Sequence, residues 1–225
     1  MYKIDLHVHT EEISSCAKTP AAEVVRLYHQ AGYQAIVITD HFYRGFFVRQ
    51  PAGLTWEQAV DRYLQGYREA LKAAAATGLT VLYGMELRFT ENDNDYLVYG
   101  FEESFLKEHP NLYQLSLAQF YQITRHRQQN ILIYQAHPFR AGMIPADPAL
   151  IDGVEIFNGN QRHDSHNQLA YRFAKTNQLL MISGSDFHER EDLAQGGITV
   201  AAPVRTMAEL LTALQANSAL KYLGM

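Results

Sequence analysis

Asp5-Leu6-His7-Val8-His9 is the stretch on which the reading of this chain turns. Residues 3–9 alternate polar and apolar side chains, the period of a β-strand, so Asp5, His7 and His9 are expected on one face. Two imidazoles and a carboxylate on a buried strand are costly without partners. A divalent cation satisfies them together, because neutral histidine and ionised aspartate both ligate zinc, manganese or iron. Alone, a His-x-His pair also fits a solvent-facing strand or a hydrogen-bonded core. The rest of the chain separates these readings, because it repeats a strand that ends in a metal-binding residue.

With 225 residues, 47% of them hydrophobic and 19% charged, the composition is that of one globular domain spanning residues 1–225. No apolar run approaches the roughly 20 residues that cross a bilayer, and no leader is expected ahead of a strand starting at Lys3. The one cysteine, Cys16, excludes an internal disulfide, which points to a reducing, cytoplasmic setting. A net charge of −5 without a Lys/Arg cluster argues against a broad nucleic-acid face, so no long nucleic acid and no membrane are expected as partners. Oligomeric state is not readable.

Strand-like and helix-like runs alternate, the pattern of a parallel α/β fold. Thr19 as N-cap and Pro20 at the first helical position start a helix that ends at Gly32. Residues 35–40 (AIVITD) read as a buried parallel strand, followed by an aromatic loop with Phe42, Tyr43, Phe46 and Phe47 that forms either a lid or satellite core. Thr55 with Gln58 resembles a capping box opening a long helix that stops at Gly78. Further strands are expected at 80–87, 96–101, 131–137, 153–158 and 180–186, with a short one at 198–201. Ser116 caps a helix through Arg127, another helix lies around 167–176, and an amphipathic helix over 206–217 closes the chain.

The C-terminal ends of these strands carry His7 and His9, Asp40 and His41, Glu86, His137, Asn158, and Asp186 with His188. In (β/α) barrels that rim is where active sites are built. Five histidines and three carboxylates on one rim are a metal-ligand set, of which Asp40 is counted a member.

The motifs Asp5-Leu6-His7-Val8-His9-Thr10, Thr39-Asp40-His41, Gly84-Met85-Glu86, Ala136-His137-Pro138 and Ser185-Asp186-Phe187-His188, in this order, resemble the PHP (polymerase and histidinol phosphatase) domain family. The resemblance implies a single-domain distorted (β/α)7 barrel of the α/β class, and a metal-dependent phosphoesterase. It further implies two or three divalent ions: one held by His7, His9, Glu86 and Asp186, a second bridged by Glu86 and also held by His137, a third involving His41 and His188. The expected reaction is attack of a metal-activated water on a small phosphomonoester or phosphodiester.

Two positions depart from the family pattern. The loop after the first strand offers Ser14, Ser15 and Cys16 where many members have a ligand; Cys16 is either that ligand or a half-buried free thiol. Before the fourth strand, where many members have a histidine, stand Asp93 and Asp95; Asp95 is a candidate ligand, its rival an Asx turn. His188 and His163 are candidate proton donors to the leaving group. Arg140 and Arg44, each three residues past a rim histidine, are candidate phosphate binders, with Arg88 and Arg162 behind them; the rival for each is a solvated arginine. Asn158 is a candidate substrate contact, Glu155 shares its neighbourhood less directly, and His166 is open. His29, His109 and His126 read as structural or solvated.

Three rivals stand against the phosphoesterase. One is an amidohydrolase-like hydrolase of C–N or C–O bonds, disfavoured because no lysine falls at the rim. Another is a nuclease-like module acting on short oligonucleotides. The third is a non-catalytic metal protein, for which this ligand set is larger than the four of a closed zinc site.

Overall fold

The apolar runs pair into two sheets, not into a closed ring. The computed structural model describes residues 1–126, 130–216 and 220–225. In chain order the elements are β1 (Tyr2–Val8), α1 (Ala21–Gln30), β2 (Ala35–Ile38), β3 (His41–Phe42), α2 (Arg44–Val48), α3 (Trp56–Tyr63), α4 (Gln65–Ala74), β4 (Thr80–Tyr83), β5 (Met85–Arg88), β6 (Asp95–Tyr99), α5 (Glu103–Glu108), α6 (Leu117–His126), β7 (Leu132–Gln135), β8 (Gly153–Asn158), α7 (Asn167–Asn177), β9 (Leu180–Gly184), β10 (Gly197–Val200), α8 (Met207–Gln215) and β11 (Lys221–Leu223). One sheet runs β11-β10-β1-β2-β4 and the other β3-β5-β6-β7-β8-β9.

The expected (β/α)7 barrel is therefore corrected to two facing open sheets. The strand expected over 80–87 breaks at Gly84, leaving β4 in one sheet and β5 in the other. Strand β6 runs antiparallel to both β5 and β7; residues 89–94 account for the first pairing, a short turn where a parallel return would need a crossover helix. Strands β10 and β11 also join antiparallel. The sheets meet at two seams. At one, Val8 bridges to Phe187, with His9 N donating to Phe187 O (2.9 Å) and Phe187 N to His7 O (3.1 Å). At the other, Gly84 N donates to Ile38 O (2.8 Å) and Glu86 N to Asp40 O (3.1 Å).

Between the sheets lie Ile4, Leu6, Val37, Leu97, Tyr99, Tyr134 and Ile182. Helices α1 and α4 cover the outer face of the first sheet through Val24, Val25, Tyr28 and Ala70. The outer face of the second packs on α3, α5, α6 and α7. The aromatic segment after β2 belongs to that core: Phe42 sits 4.7 Å from Phe47 and 4.9 Å from Tyr63, ring centroid to centroid.

Local signals mostly behave as expected. The Thr55/Gln58 capping box is formed, but the helix it opens breaks at Leu64 into α3 and α4. Ser116 and Gln119 cap each other's backbone at α6. Helix α1 starts one residue late: Pro20 is its N-cap, and the Glu12 carboxylate, not Thr19, accepts from Ala21 N. The expected helix ends at Arg127 and Asn217 lie outside the described residues.

The register of β1 on β2 slips between Asp5 and Val8, a bulge that reverses side-chain parity. Asp5, expected beside His7 and His9, instead faces α1. It accepts from Tyr28 Oη (2.8 Å), His7 N (3.2 Å) and Ser185 N (3.1 Å).

Gly196 packs directly on the backbone of Gly184, and a Cβ there would land on the Gly184 carbonyl. Gly196→Ala is expected to lower stability by about 1–3 kcal/mol in urea denaturation; an unchanged midpoint would refute the close approach. Burial pushes Asp5 up to about 6, its hydrogen bonds from Ser185, His7 and Tyr28 opposing only in part. The unfolded carboxyl ionises near ~3.9, so the contribution of Asp5 to folding is full below that pH and is lost as pH rises through about 6. Metal-free Asp5→Asn is expected to lose less stability than the unaltered chain between these limits, as read by denaturation at each pH.

Candidate metal centre

The bulge in β1 turns His7 and His9 toward Glu86 on β5 and Asp186 just beyond β9. His7 Nδ1 lies 2.9 Å from Glu155 Oε1 on β8, so the carboxylate takes the Nδ1 proton and leaves the Nε2 lone pair free. His9 Nδ1 lies 3.0 Å from Ser14 Oγ, whose own proton goes to Asp40 Oδ1 (2.7 Å), so Nε2 is again the free nitrogen. Both Nε2 atoms face carboxylates. His7 Nε2 is 3.2 Å from Glu86 Oε1 and 3.4 Å from Asp186 Oδ1. His9 Nε2 is 3.3 Å from Glu86 Oε2 and 3.5 Å from Asp186 Oδ1. His41 Nδ1 stands 2.7 Å from Glu86 Oε2, and His137 Nε2 3.1 Å from Glu86 Oε1.

The His137 Nε2–Glu86 Oε1 approach is a hydrogen bond, but the others are misaligned: His7 Nε2, His9 Nε2 and Glu86 Oε2 are buried without a hydrogen bond. Such atoms cost a few kcal/mol each if left unsatisfied. Atoms that converge on one space without bonding each other suit a cation between them. The donor set fits. Among the described residues, four overlapping groups have ligand atoms within 4.8 Å of one another: His9, His41 and His188; His7, His137 and Asp186; His7, His9 and Glu86; His41, Glu86 and Asp95.

Burial opposes charge on His7 and His41, but Asp186, Glu155 and Glu86 draw His7, and Glu86 draws His41, well above the ordinary value, so a cation there would take the place of a proton on each. Burial opposes charge on Glu86 and Asp186, yet His41 and His7 hold Glu86, and His7 with His9 hold Asp186, well below the usual carboxylate range. Burial together with His188 and His41 drives His9 well down, the neutral form a cation needs. Two of the residues involved carry backbone strain: His137 has φ 29° and Asp186 φ 54°. Such residues cost about 1–3 kcal/mol each and persist where surrounding bonds hold them. Glu155 Oε2 does so for His137 by accepting its N–H at 3.0 Å.

The structure does not bring Asp40 into the cluster. Both its oxygens are taken, Oδ1 by Thr10 N (2.7 Å) and Ser14, Oδ2 by Thr10 Oγ1 (2.7 Å), so it braces His9 through Ser14. Arg44 is exposed on α2 and lines neither cleft at the centre. Asp95 is close to His41 and Glu86 but also gripped by Arg88 through Nε (2.7 Å) and Nη2 (2.6 Å). The Asx turn before β6 is made by Asn92, whose Oδ1 accepts from Asn94 N.

A cleft of about 300 Å³ opens over the cluster, lined by Cys16, His41, Arg88, His137, Arg140, His163 and His188 among others. Arg140 Nη2 is held by Asp186 Oδ2 (2.8 Å), Asn158 Oδ1 (3.0 Å) and Ser165 Oγ (3.2 Å). Burial and Arg140 keep His163 below its ordinary value. Burial pushes the Cys16 thiol up, but hydrogen bonding with His188 and His41 outweighs it and brings the thiol to about 6. His166 is exposed beside Asp164, and His109 Nδ1 bonds Phe105 O (2.7 Å), both away from the cleft.

Sequence reasoning passed over Asn160, Met143 and Asp192. Asn160 lines the cleft and donates to Asp186 O (3.1 Å); its signal was its place two residues past Asn158. Asp192 clamps Arg162 (2.7 and 2.9 Å) and accepts from His188 N (2.9 Å), a role no spacing announces. A roomier groove of about 480 Å³ runs between β10 and α8, but it is lined by Ala, Val and Leu with Glu209 as its one carboxylate, and Glu209 is consumed in capping α8. The chemistry belongs to the polar cleft.

The family model for the PHP domain matches residues 5–187, and one described as PHP-associated matches residues 164–219. A DNA polymerase III PolC-type of Clostridium perfringens is 28% identical over 107 residues, which is 48% of this chain but 6% of the polymerase. PsfC from Pseudomonas syringae PB-5123 superposes with a TM-score of 0.72 at 17% identity, over 100% of this chain and 91% of that one. A two-domain Bacteroides vulgatus protein, containing a predicted PHP-like metal-dependent phosphoesterase, superposes with 0.66 at 16% identity, over 98% of this chain and 64% of its own. At these identities the two structures share the fold. No helix among the described residues is long and apolar enough to cross a membrane.

Glu155→Gln retains the size of the side chain but weakens its hold on His7 Nδ1. It is expected to lower metal affinity about 10–100-fold, measured by competition with a chromophoric chelator, with thermal stability of the metal-free chain little changed.

Proposed function

The chain belongs to the PHP family, and from that premise we propose that it is a metal-dependent hydrolase of small phosphomonoesters or phosphodiesters. The observation that carries the reading is the convergence of the buried, unbonded His7 Nε2, His9 Nε2 and Glu86 Oε2, with Asp186 and His137 beside them, beneath a polar cleft lined by arginine. His7, His9, Glu86, His137 and Asp186 would hold two divalent ions, with His41, His188 and Asp95 available to a third. When bound, zinc, manganese or iron supplies Lewis acidity that offsets phosphoryl charge and makes water nucleophilic near neutral pH.

The protein's own groups orient and desolvate. Glu155 and the Ser14–Asp40 pair fix the two imidazoles of the first strand in one tautomer. Arg140, tied to Asp186 and Asn158, presents a rigid cation at the cleft wall. His163, held below its ordinary value by burial and Arg140, lines the cleft as a hydrogen-bond partner of substrate or a proton donor to its leaving group. His188 lies above its ordinary value: burial pulls it down, but Cys16 and Asp186 outweigh that, which suits it to donate where it is not ligated.

Chelator-treated protein is expected to show no turnover of an aryl phosphate, with activity restored by manganese or zinc and reduced about a hundredfold or more in Glu86→Ala. Metal-loaded protein that cleaves aryl amides or lactones but no phosphoester would instead favour the C–N/C–O hydrolase.

A further inference from the structure

The geometry points to a phosphodiester as the substrate, with one ester arm in each of two clefts that flank the centre and a planar group of one arm stacked on Tyr43. This inference rests on the phosphoesterase reading and decides between its two substrate classes.

Two cavities open beside the cluster. The first, about 300 Å³, extends from His41 past His137 toward Met143, Asn160 and His163. The second, about 220 Å³, is lined by Ser15, Cys16, His41, Tyr43 and Arg88. The cluster lines the larger cavity, and the smaller one opens beside it at Cys16, His41 and Arg88, which line both, so His41 is the candidate ligand that borders the two. A phosphomonoester has one arm and would leave one cavity to water. A diester whose phosphorus sits at the junction has an arm for each.

Charge favours the same class. A monoester is largely a dianion near neutral pH and a diester a monoanion. The three arginines lining the larger cleft are each ion-paired with carboxylates, although the buried Nε of Arg140 keeps no hydrogen bond. Arg88 is gripped by Asp95, and Arg140 by Asp186. Arg162 is paired with Asp192 and Glu189. The cleft wall therefore adds little unpaired positive charge for the second negative charge of a terminal phosphate.

Tyr43 is built as a platform. Its ring stands edge-on to His41 at 6.0 Å. Arg49 Nη2 donates to its hydroxyl at 2.6 Å, with the guanidinium carbon 5.7 Å from the ring centroid. Gly45 packs against the ring so closely that a Cβ there would collide with it. A half-buried tyrosine fixed this way offers an aromatic face at little further entropic cost, and stacking of a planar group on such a face is worth about 1–3 kcal/mol.

The test compares three substrates with the manganese-loaded full chain: 4-nitrophenyl phosphate, bis(4-nitrophenyl) phosphate and the 4-nitrophenyl ester of thymidine 5′-phosphate. Both diesters are expected to exceed the monoester in kcat/KM by about tenfold or more. Tyr43→Ala is expected to raise KM for the thymidine ester about tenfold more than for the monoester, with kcat less affected, while Tyr43→Phe keeps KM near that of the unaltered chain. Circular dichroism and metal content of each variant show whether it folds and loads. A preference for the monoester, or an equal loss on all three substrates in a folded Tyr43→Ala, would overturn the diester assignment and leave the phosphoesterase standing. No turnover of any of the three by metal-loaded protein would overturn the phosphoesterase reading and this inference together.

Discussion

The structure depends on a concentration of charge that water cannot reach. Glu86 and Asp186 are almost wholly buried against His7 and His9, which are fully so, and desolvating such groups costs several kcal/mol per ion unless something of opposite charge lies among them. The chain supplies part of the compensation: His7 and His41 oppose Glu86, and Arg140 opposes Asp186. What remains are donor atoms with no hydrogen bond in the protein. The surrounding scaffold reads as support for that deficit. Glu155, Ser14, Asp40 and Asn158 touch the ligand side chains or their backbone and hold each in the one orientation that leaves the right atom free.

Support of this kind has to come from both sheets, and the seams deliver it. His7 belongs to the strand of one sheet and His9 lies one residue past its end, Glu86, Glu155 and Asn158 belong to strands of the other, and Asp186 to the turn that bridges them. The left-handed backbone at His137 and Asp186 marks where chain direction is bent to bring a side chain in at the junction. Neither residue would choose that conformation in isolation; the bond from His137 N to Glu155 and those from Arg140 and Asn158 to Asp186 over-determine it.

How much of this was legible follows from how local each signal is. Alternation in residues 3–9 announced a strand, and His7, His9, His41, Glu86, His137, Asp186 and His188 are indeed gathered in one cluster. Capping chemistry at Thr55 and Ser116 was readable because the partner is three residues away. Asp5 was misjudged because a bulge depends on the pairing partner, not on the strand's own letters. Asp40 looked like a ligand until its partners, Thr10 and Ser14, were seen across some thirty residues of chain. The closed barrel failed at Gly84 and at the turn before Asp95, where the direction of the next strand is set by the length of a connection and the company it finds. Arg44, though three residues past His41, enters a short helix that carries it away from the centre.

The pairing of the first strand has a temporal side. Tyr2, Lys3 and Ile4 are bonded to strand 197–200, and Asp5 receives the amide of a residue 180 positions further on. Contacts of such separation close large loops and form late. During synthesis, then, His7 and His9 are made some 180 residues before the segment that supplies part of their surroundings. A nascent chain halted before Asp186 lacks two of the eight candidate ligands, Asp186 and His188, so the cluster is completed only when the second sheet has been made.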